Sequence, residues 1–444
     1  MKVNKLVKKY ITSDIDRALL VGLFFSLPFD NIPSIELYSI TIKASAVLGL
    51  LVIIRTLYLL AKRRINLVNN FYYKILFVFV LWVILLVPES IVLSRAINYA
   101  VLTAYVALLA VCVSMIFKKE YIKPIVYVIL VSACIASILG IAQYFGDYFG
   151  FSTRLTGLND MYTKKTLGFT RINSFLLEPL YLASYMALPF LICVSMFFSK
   201  EKLINQKLLI FLILLFGLTV LLTLSRGGIV GVGLATALVI FIGLKNKVYD
   251  RRKIVFFIAL VFLGIILSQL IINNFSHKAS DYTKGKQGSG AYIQQLTDLT
   301  LSNGDERKLS RDNAFRIIGE DSRIWIFGVG PAQYGPHATE GKLVNGRWLV
   351  INNLPIAVLV ELGLFGLVLL VAFVMLIKYS IVSSIKHYDL QIEKVFIIAL
   401  AGYLVSQAIS YQTYSTIYIM HVWACIGVMM ALALNARKKS HNKL

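Results

Sequence analysis

Apolar runs of about 20 residues recur from Leu19 to Leu434, separated by short polar connections, and a helix of that length crosses the hydrocarbon core of a bilayer. The runs predict helices over 17–31, 41–61, 71–88, 96–117, 124–145, 180–198, 208–224, 227–244, 254–272, 363–382, 395–413 and 416–435. Pro28 and Pro33 interrupt the first of them, and Lys43 falls inside the second. The pattern is that of an all-α polytopic membrane protein with about twelve transmembrane helices. Little chain remains for a soluble domain, so residues 1–444 read as a single membrane domain.

Composition agrees. Hydrophobic residues make up 58% of the chain and charged ones 15%, with mean hydropathy +0.76, whereas soluble domains carry about a quarter charged residues. The net charge of +23 raises the question of nucleic acid, but the basic residues form short clusters between apolar runs instead of one polar face, which excludes that partner. Lys2, Lys5, Lys8 and Lys9, then Lys62 to Arg64, Lys118 and Lys119, Lys200 to Lys207, Lys245 to Lys253, Lys386 to Lys394, and Arg437 to Lys439 occupy alternate connections. Basic loops are retained in the cytoplasm, so both termini are expected there, in a cell (inner) membrane protein. The basic start Met1 to Tyr10 precedes a run without a small-residue cleavage site and reads as the flank of a retained first helix. Cys112, Cys134, Cys193 and Cys425 lie in apolar runs without metal spacing and are expected as free thiols.

The outside connections are then 30–36, 89–95, 149–178, 225–228, 273–353 and 411–415. Two are far longer than turns: 149–178, and the large periplasmic or extracellular loop 273–353 between the ninth and tenth predicted helices. Loops of that length are usually functional or disordered. Within the second, Lys284 to Gly290 (KGKQGSG) has the composition of a flexible stretch.

Three polar segments carry candidate chemistry. Ser225–Arg226–Gly227–Gly228 sits at an outer helix end, where an arginine fork holds phosphate oxygens and glycines admit backbone N–H groups. Alternatively, Arg226 snorkels at the interface and the glycines make a turn. Arg171 to Pro179 precedes the sixth helix, with Pro179 at its start and Glu178 at the cap position. Glu178 either caps that helix, or binds sugar hydroxyls or serves as a base, with Arg171 as its partner or as a phosphate ligand. In the long loop, Arg307, Arg311, Arg316 and Arg323 share a helical spacing; they read as anion ligands, Arg311 foremost, or as partners of Asp305, Glu306, Asp312, Glu320 and Asp321. Farther on come Phe327 to Pro331, Asn352 and Asn353, and Glu361–Leu362–Gly363, where Glu361 is either a functional interfacial carboxylate or a helix N-terminal one. His337 reads as a surface residue and His421 as a packed one.

The chain has no Walker loop, nucleotide fingerprint, HExxH or paired CxxC, so ATP hydrolysis and zinc chemistry lack their sequence motifs. Four motifs in order do resemble a family: Arg171-x-x-x-Phe175-x-x-Glu178–Pro179, Ser225–Arg226–Gly227–Gly228, Arg311 ahead of Gly328–Val329–Gly330, and an Asn-rich segment leading to Glu361–Leu362–Gly363. Residues from about Arg171 to Gly366 resemble the O-antigen ligase and Wzy-type polysaccharide polymerase superfamily. The resemblance implies a C-type glycosyltransferase-like fold, an undecaprenyl-pyrophosphate-linked oligosaccharide as substrate, chemistry on the outer face, and neither metal nor cofactor. A chain-length regulator and a flippase are the protein partners it implies. Ligases of this family place a histidine before the Glu–Leu–Gly helix; here that place reads Asn352–Asn353, which favours polymerase over ligase.

The reaction implied is inverting transfer of the growing chain onto an acceptor repeat unit, with expulsion of undecaprenyl pyrophosphate. Arg226 and Arg311 are expected to stabilise the leaving charge, with Arg171 third. Glu178 and Asn352 are expected to orient sugar or acceptor hydroxyls, with Asn353 and Glu361 as further substrate-binding residues. Tyr334 and Trp348 either stack on sugar rings or anchor the loop. The rivals are an O-antigen ligase acting on lipid A core, a transporter of lipid-linked oligosaccharide, and a membrane scaffold of cell-wall assembly. The transporter reading lacks a visible two-halves repeat, and the scaffold gives the arginines no purpose.

Reporter fusions at Lys119, Lys202 and Lys247 should report cytoplasm, and fusions at Leu158 and Gly288 the outside. A cytoplasmic signal at Gly288 would move the long loop to the wrong face for this chemistry.

Overall fold

The computed structural model describes residues 15–30, 34–37, 40–164, 169–200, 204–275, 303–344, 346–385, 388 and 390–441. The basic start Met1 to Tyr10, the KGKQGSG stretch and Lys202 lie outside the described residues. The principal helices are α1 (15–26), α2 (Ala44–Ala61), α3 (Phe71–Leu85), α4 (Leu93–Ile116), α5 (Ile122–Tyr148), α6 (Thr153–Thr156), α7 (Pro179–Phe198), α8 (Gln206–Leu222), α9 (Arg226–Lys245), α10 (Lys253–Phe275), α11 (Asn303–Glu320), α12 (Ser322–Phe327), α13 (Tyr334–Ala338), α14 (Leu354–Ile385), α15 (Gln391–Ser410) and α16 (Met420–His441). Among the described residues, nine helices are long and apolar enough to cross a membrane. Three further expected spans carry shorter helices: α1, Gln206–Leu222 and the stretch Met420–Ala436. The chain is a multi-pass membrane protein. All four cysteines are free.

The helix expected over 41–61 starts later than its hydropathy suggests. Ser34–Leu37 (β1) and Ile40–Lys43 (β2) form an antiparallel hairpin with Ser34 opposite Lys43, so Lys43 ends a strand instead of entering a helix. The alternation Ile40–Thr41–Ile42 is β-branched and suits a strand. Lys43 then pairs with Asp30 at 2.7 Å, which relieves the charge beside an apolar helix start.

The chain forms two compact units. The first comprises Met1–Val52, Phe117–Asp298 and His387–Gln407; the second comprises Ile53–Ile116, Leu299–Lys386 and Ala408–Leu444.

In the first unit α7 is the central helix, with every side chain from Leu182 to Phe198 buried. A helix that is apolar all round has no polar face to give to solvent, so it is packed on all sides. Helices α8 and α9 lie against it. A Cβ on Gly228 would collide with the Cβ of Ala183, so this glycine serves the approach of α9 to α7. The Gly228 N–H is also occupied, donating to the capping hydroxyl of Ser225.

The second unit pairs α4 with α16 and packs α14 on α3 and α12. The described part of the long loop is folded: Ala314, Ile317 and Ile318 of α11 form a core with Val329, Tyr334 and Ile351 and with Ala357 and Val360 of α14. Helix α14 begins at Leu354, two turns before the residue expected, and it breaks at Gly363 (φ 69, ψ −176). At the break the carbonyls of Val360 and Glu361 accept from the Val329 and Gly330 amides at 2.9 and 3.0 Å, and that of Leu362 accepts from the Trp82 indole at 2.9 Å. The approach is backbone to backbone. A Cβ on Gly328 (φ +79) would lie 2.5 Å from the Glu361 carbonyl carbon, and one on Gly363 would strike the Ile326 carbonyl. The Gly–Val–Gly and Glu–Leu–Gly motifs are therefore two sides of one joint.

Gly363→Ala should sharply lower the folded yield and melting temperature, because it adds this collision to a left-handed conformation. Gly341 has a similar φ of +77 but open space around it, so Gly341→Ala should cost only about 1 kcal/mol. Equal melting temperatures for the two variants, measured on purified protein, would show that the joint is not constrained as described.

Candidate functional site

Each unit gathers its own polar cluster. In the first, the segment Arg171 to Glu178 has no regular secondary structure, so side chains satisfy its backbone. Buried Gln143 of α5 accepts from the amides of Asn173 and Ser174 at 3.3 and 2.7 Å and donates to the Ser174 carbonyl at 3.1 Å. Ser174, held at φ 52, donates its hydroxyl to the Ala136 carbonyl at 2.7 Å. Nearby, the Thr170 hydroxyl and the Lys164 amide donate to Asp147, at 2.5 and 2.8 Å.

So held, the segment runs beside the start of α9. The Ile172 amide donates to the Leu222 carbonyl at 3.4 Å, and Arg171 Nε donates to the Thr223 carbonyl at 3.1 Å. Two motifs more than 40 residues apart thereby share one end of the unit. The Arg171 guanidinium also lies over the Tyr162 ring, 5.7 Å from its centroid. Burial and the Glu178 carboxylate push the Tyr162 hydroxyl up to about 12, against the pull of Arg171. Glu178 itself is raised above the ordinary carboxylate range: nearby protein shields its carboxyl although the side chain reaches solvent, and Arg171 pulls the other way. Capping does not explain this residue. Glu178 occupies the N-cap of α7, yet its side chain makes no cap hydrogen bond, since a cap must reach the N2 or N3 amide and glutamate is one methylene longer than the residues that do so. Arg226, half-buried, stands in the first turn of α9.

In the second unit the loop between α12 and α13 is tied to the start of α4. Buried Gln333 accepts from the Val92 amide at 2.8 Å and donates to the Val92 carbonyl at 3.2 Å. Arg95 Nε donates to the Ala332 carbonyl at 3.2 Å, with its guanidinium 5.8 Å from the Trp348 ring centroid. Glu361 accepts from the Tyr334 amide at 3.3 Å. Glu361 lies two turns inside α14, which corrects its expected place at a helix N-terminus. Tyr99 and Tyr418 stand edge to face at 6.0 Å within the electrostatic reach of Glu361. The Tyr418 hydroxyl is raised by burial and by Glu361, with Arg95 opposing.

The loop arginines separate by partner. Arg316 pairs with Glu320 at 2.5 Å and Arg323 with Glu89 at 3.0 Å, whereas Arg311 is exposed and forms no ion pair among the described side chains. Asn352 is exposed. Asn353 is engaged: it caps α14 through the Ile356 amide at 3.1 Å and donates to the Gln412 side chain at 3.0 Å. Tyr334 is 1% exposed, and its hydroxyl meets both the carbonyl and the hydroxyl of Ser310. It anchors the loop and offers no ring face to a sugar. His337 is half-buried, its imidazole lowered by burial with Glu320 opposing.

Sequence reasoning passed over Gln143, Asp147, Gln333 and Tyr418. It also gave no role to Arg95, although a basic residue closing a loop expected outside runs against the retention rule and is itself a signal.

Tyr334→Phe should lower stability by about 1 kcal/mol through loss of the Ser310 bonds, read as the melting temperature of purified protein. An unchanged melting temperature would show that these bonds do not hold the loop.

No curated protein matches the chain. A family model does: residues 210–371 match the Wzy_C model, described as O-antigen ligase, a stretch that includes Arg226, Arg311, Asn352 and Glu361 but not Arg171 or Glu178. Residues 210–371 thus carry a domain similar to the O-antigen ligase and Wzy-type superfamily.

Proposed function

We propose that this protein polymerises lipid-linked repeat units of an O-antigen, capsule or exopolysaccharide. The observation that carries the reading is the start of α14. Where ligases of the family hold a histidine, this chain has Asn352 and Asn353, and Asn353 is committed to capping the helix and to Gln412. Of the chain's other histidines in the described core, His421 is buried in α16 and His337 lies on α13.

In this reading the acceptor hydroxyl oxygen attacks the anomeric carbon of the donor chain as the bond from that carbon to the pyrophosphate oxygen breaks. The bonding pair departs with undecaprenyl pyrophosphate, the anomeric configuration inverts, and the hydroxyl proton passes to the departing pyrophosphate or to water. The leaving group is already good, so positioning and charge stabilisation matter more than a strong base. Arg226 is assigned to the pyrophosphate oxygens. Arg171, fixed by the Thr223 carbonyl and Tyr162, supports the same end of the first unit. Glu178 is assigned to sugar hydroxyls. In the second unit Arg311 is assigned to an anionic group of lipid-linked substrate, and Asn352 to a hydroxyl. The reaction takes place on the periplasmic or outer face.

The test is elongation of synthetic undecaprenyl-pyrophosphate-linked repeat units by purified protein, with lipid A core as the competing acceptor. Polymerase predicts repeat-unit ladders, and transfer to lipid A core alone would make the protein a ligase. Within that assay Arg226→Ala and Arg311→Ala should each lose about 10²–10³ in rate at normal protein levels. Arg226→Lys should lose most activity, since lysine lacks the bidentate fork. Arg316→Ala should stay near wild type, its partner being the exposed Glu320. Near-wild-type chain length with Arg226→Lys would remove the phosphate role and leave the interfacial one, because lysine snorkels as well as arginine does.

A further inference from the structure

We propose that Arg95, held against Trp348, is a further substrate-binding residue, taking an anionic oxygen pair of the lipid-linked glycan, either the carrier phosphate or a sugar carboxylate. The proposal rests on the polymerase reading and concerns a residue outside the matched segment 210–371.

Arg95 is oriented before any ligand arrives. Its Nε is spent on the Ala332 carbonyl, and that carbonyl is immobilised in turn, since Ala332 is held at φ 58 and neighbouring Gln333 bonds both the amide and the carbonyl of Val92. The guanidinium carbon lies over the Trp348 ring, 5.8 Å from its centroid. Both terminal nitrogens, the paired donors that match a carboxylate or phosphate, make no hydrogen bond among the described residues. The acid nearest in effect, Glu361, forms no ion pair with Arg95, and one of its oxygens accepts from the Tyr334 amide.

Helix stability does not account for the residue either. Arg95 lies in the first turn of α4, where no acidic residue is present and a cation opposes the helix dipole. Packing alone would be met by an uncharged side chain. A fixed, half-buried guanidinium with an open fork, beside an indole and within reach of Tyr418, is suited to an anionic group attached to a sugar.

The full-length protein in phosphatidylcholine nanodiscs would be titrated with three probes: undecaprenyl pyrophosphate, uncharged undecaprenol, and a soluble trisaccharide ending in a hexuronic acid. Arg95→Gln should weaken one anionic probe by at least about tenfold, the loss expected for a hydrogen bond to a charged group, and leave undecaprenol unchanged. Loss for the pyrophosphate lipid identifies carrier phosphate; loss for the trisaccharide identifies a sugar carboxylate. Arg95→Lys should show the same selectivity with a smaller loss, and it decides the matter if Arg95→Gln does not fold. Unchanged affinity for both anionic probes, or an equal loss for undecaprenol, overturns the proposal while wild-type elongation leaves the polymerase reading intact. Wild-type protein that binds neither anionic probe overturns both.

Discussion

A helix in hydrocarbon cannot leave carbonyls unpaired, because no water is there to bond them. Helix α14 breaks at Gly363 within an apolar span, and the second unit is arranged around the answer to that break. The released carbonyls of Val360, Glu361 and Leu362 meet Val329, Gly330 and Trp82. Such close backbone contact requires Gly328 and Gly363 to lack side chains. Once the 328–330 turn is seated there, the next residues have little freedom: Gln333 reaches Val92, Ala332 presents its carbonyl to Arg95, and the Tyr334 amide faces Glu361. A conformational demand of the bilayer thus becomes a positioning device for polar side chains.

The first unit solves the same problem differently. Its irregular segment Arg171 to Glu178 is paired by side chains, chiefly Gln143, and is held beside the entry of α9. Positive φ at Ser174 and Leu224 shows where the chain departs from its preferred conformations. Strain of this kind persists only where surrounding contacts over-determine it. Here the surroundings are a buried glutamine, a buried serine hydroxyl and the Arg171 bond to Thr223.

Hydropathy made the helices legible because membrane burial acts on composition averaged over many residues. It missed the Ser34–Lys43 hairpin, where four-residue strands are too short to register against apolar neighbours. The start of α14 was also missed, since Asn352, Asn353 and Pro355 look like loop until Asn353 is seen as a cap. Motif order was readable, but the meaning of its glycines was not. Gly228 reads as room for an anion, and in the fold it is the contact of α9 with α7. Long-range pairings such as Gln333 with Val92 leave no trace in local spacing.

The arginines show how structure narrows chemistry that sequence leaves open. Four of them in α11 and α12 are equivalent by spacing, yet Arg316 and Arg323 have acidic partners at the surface, where such pairs contribute little and call for no ligand. Arg311 has none among the described side chains. Arg95 and Arg171 each spend Nε on a main-chain carbonyl and lay the guanidinium near an aromatic ring. Arg95, so fixed, keeps both terminal nitrogens unbonded among the described residues, and it loses little further entropy when an anion arrives. Reactions whose leaving group carries the charge need that arrangement more than they need a base.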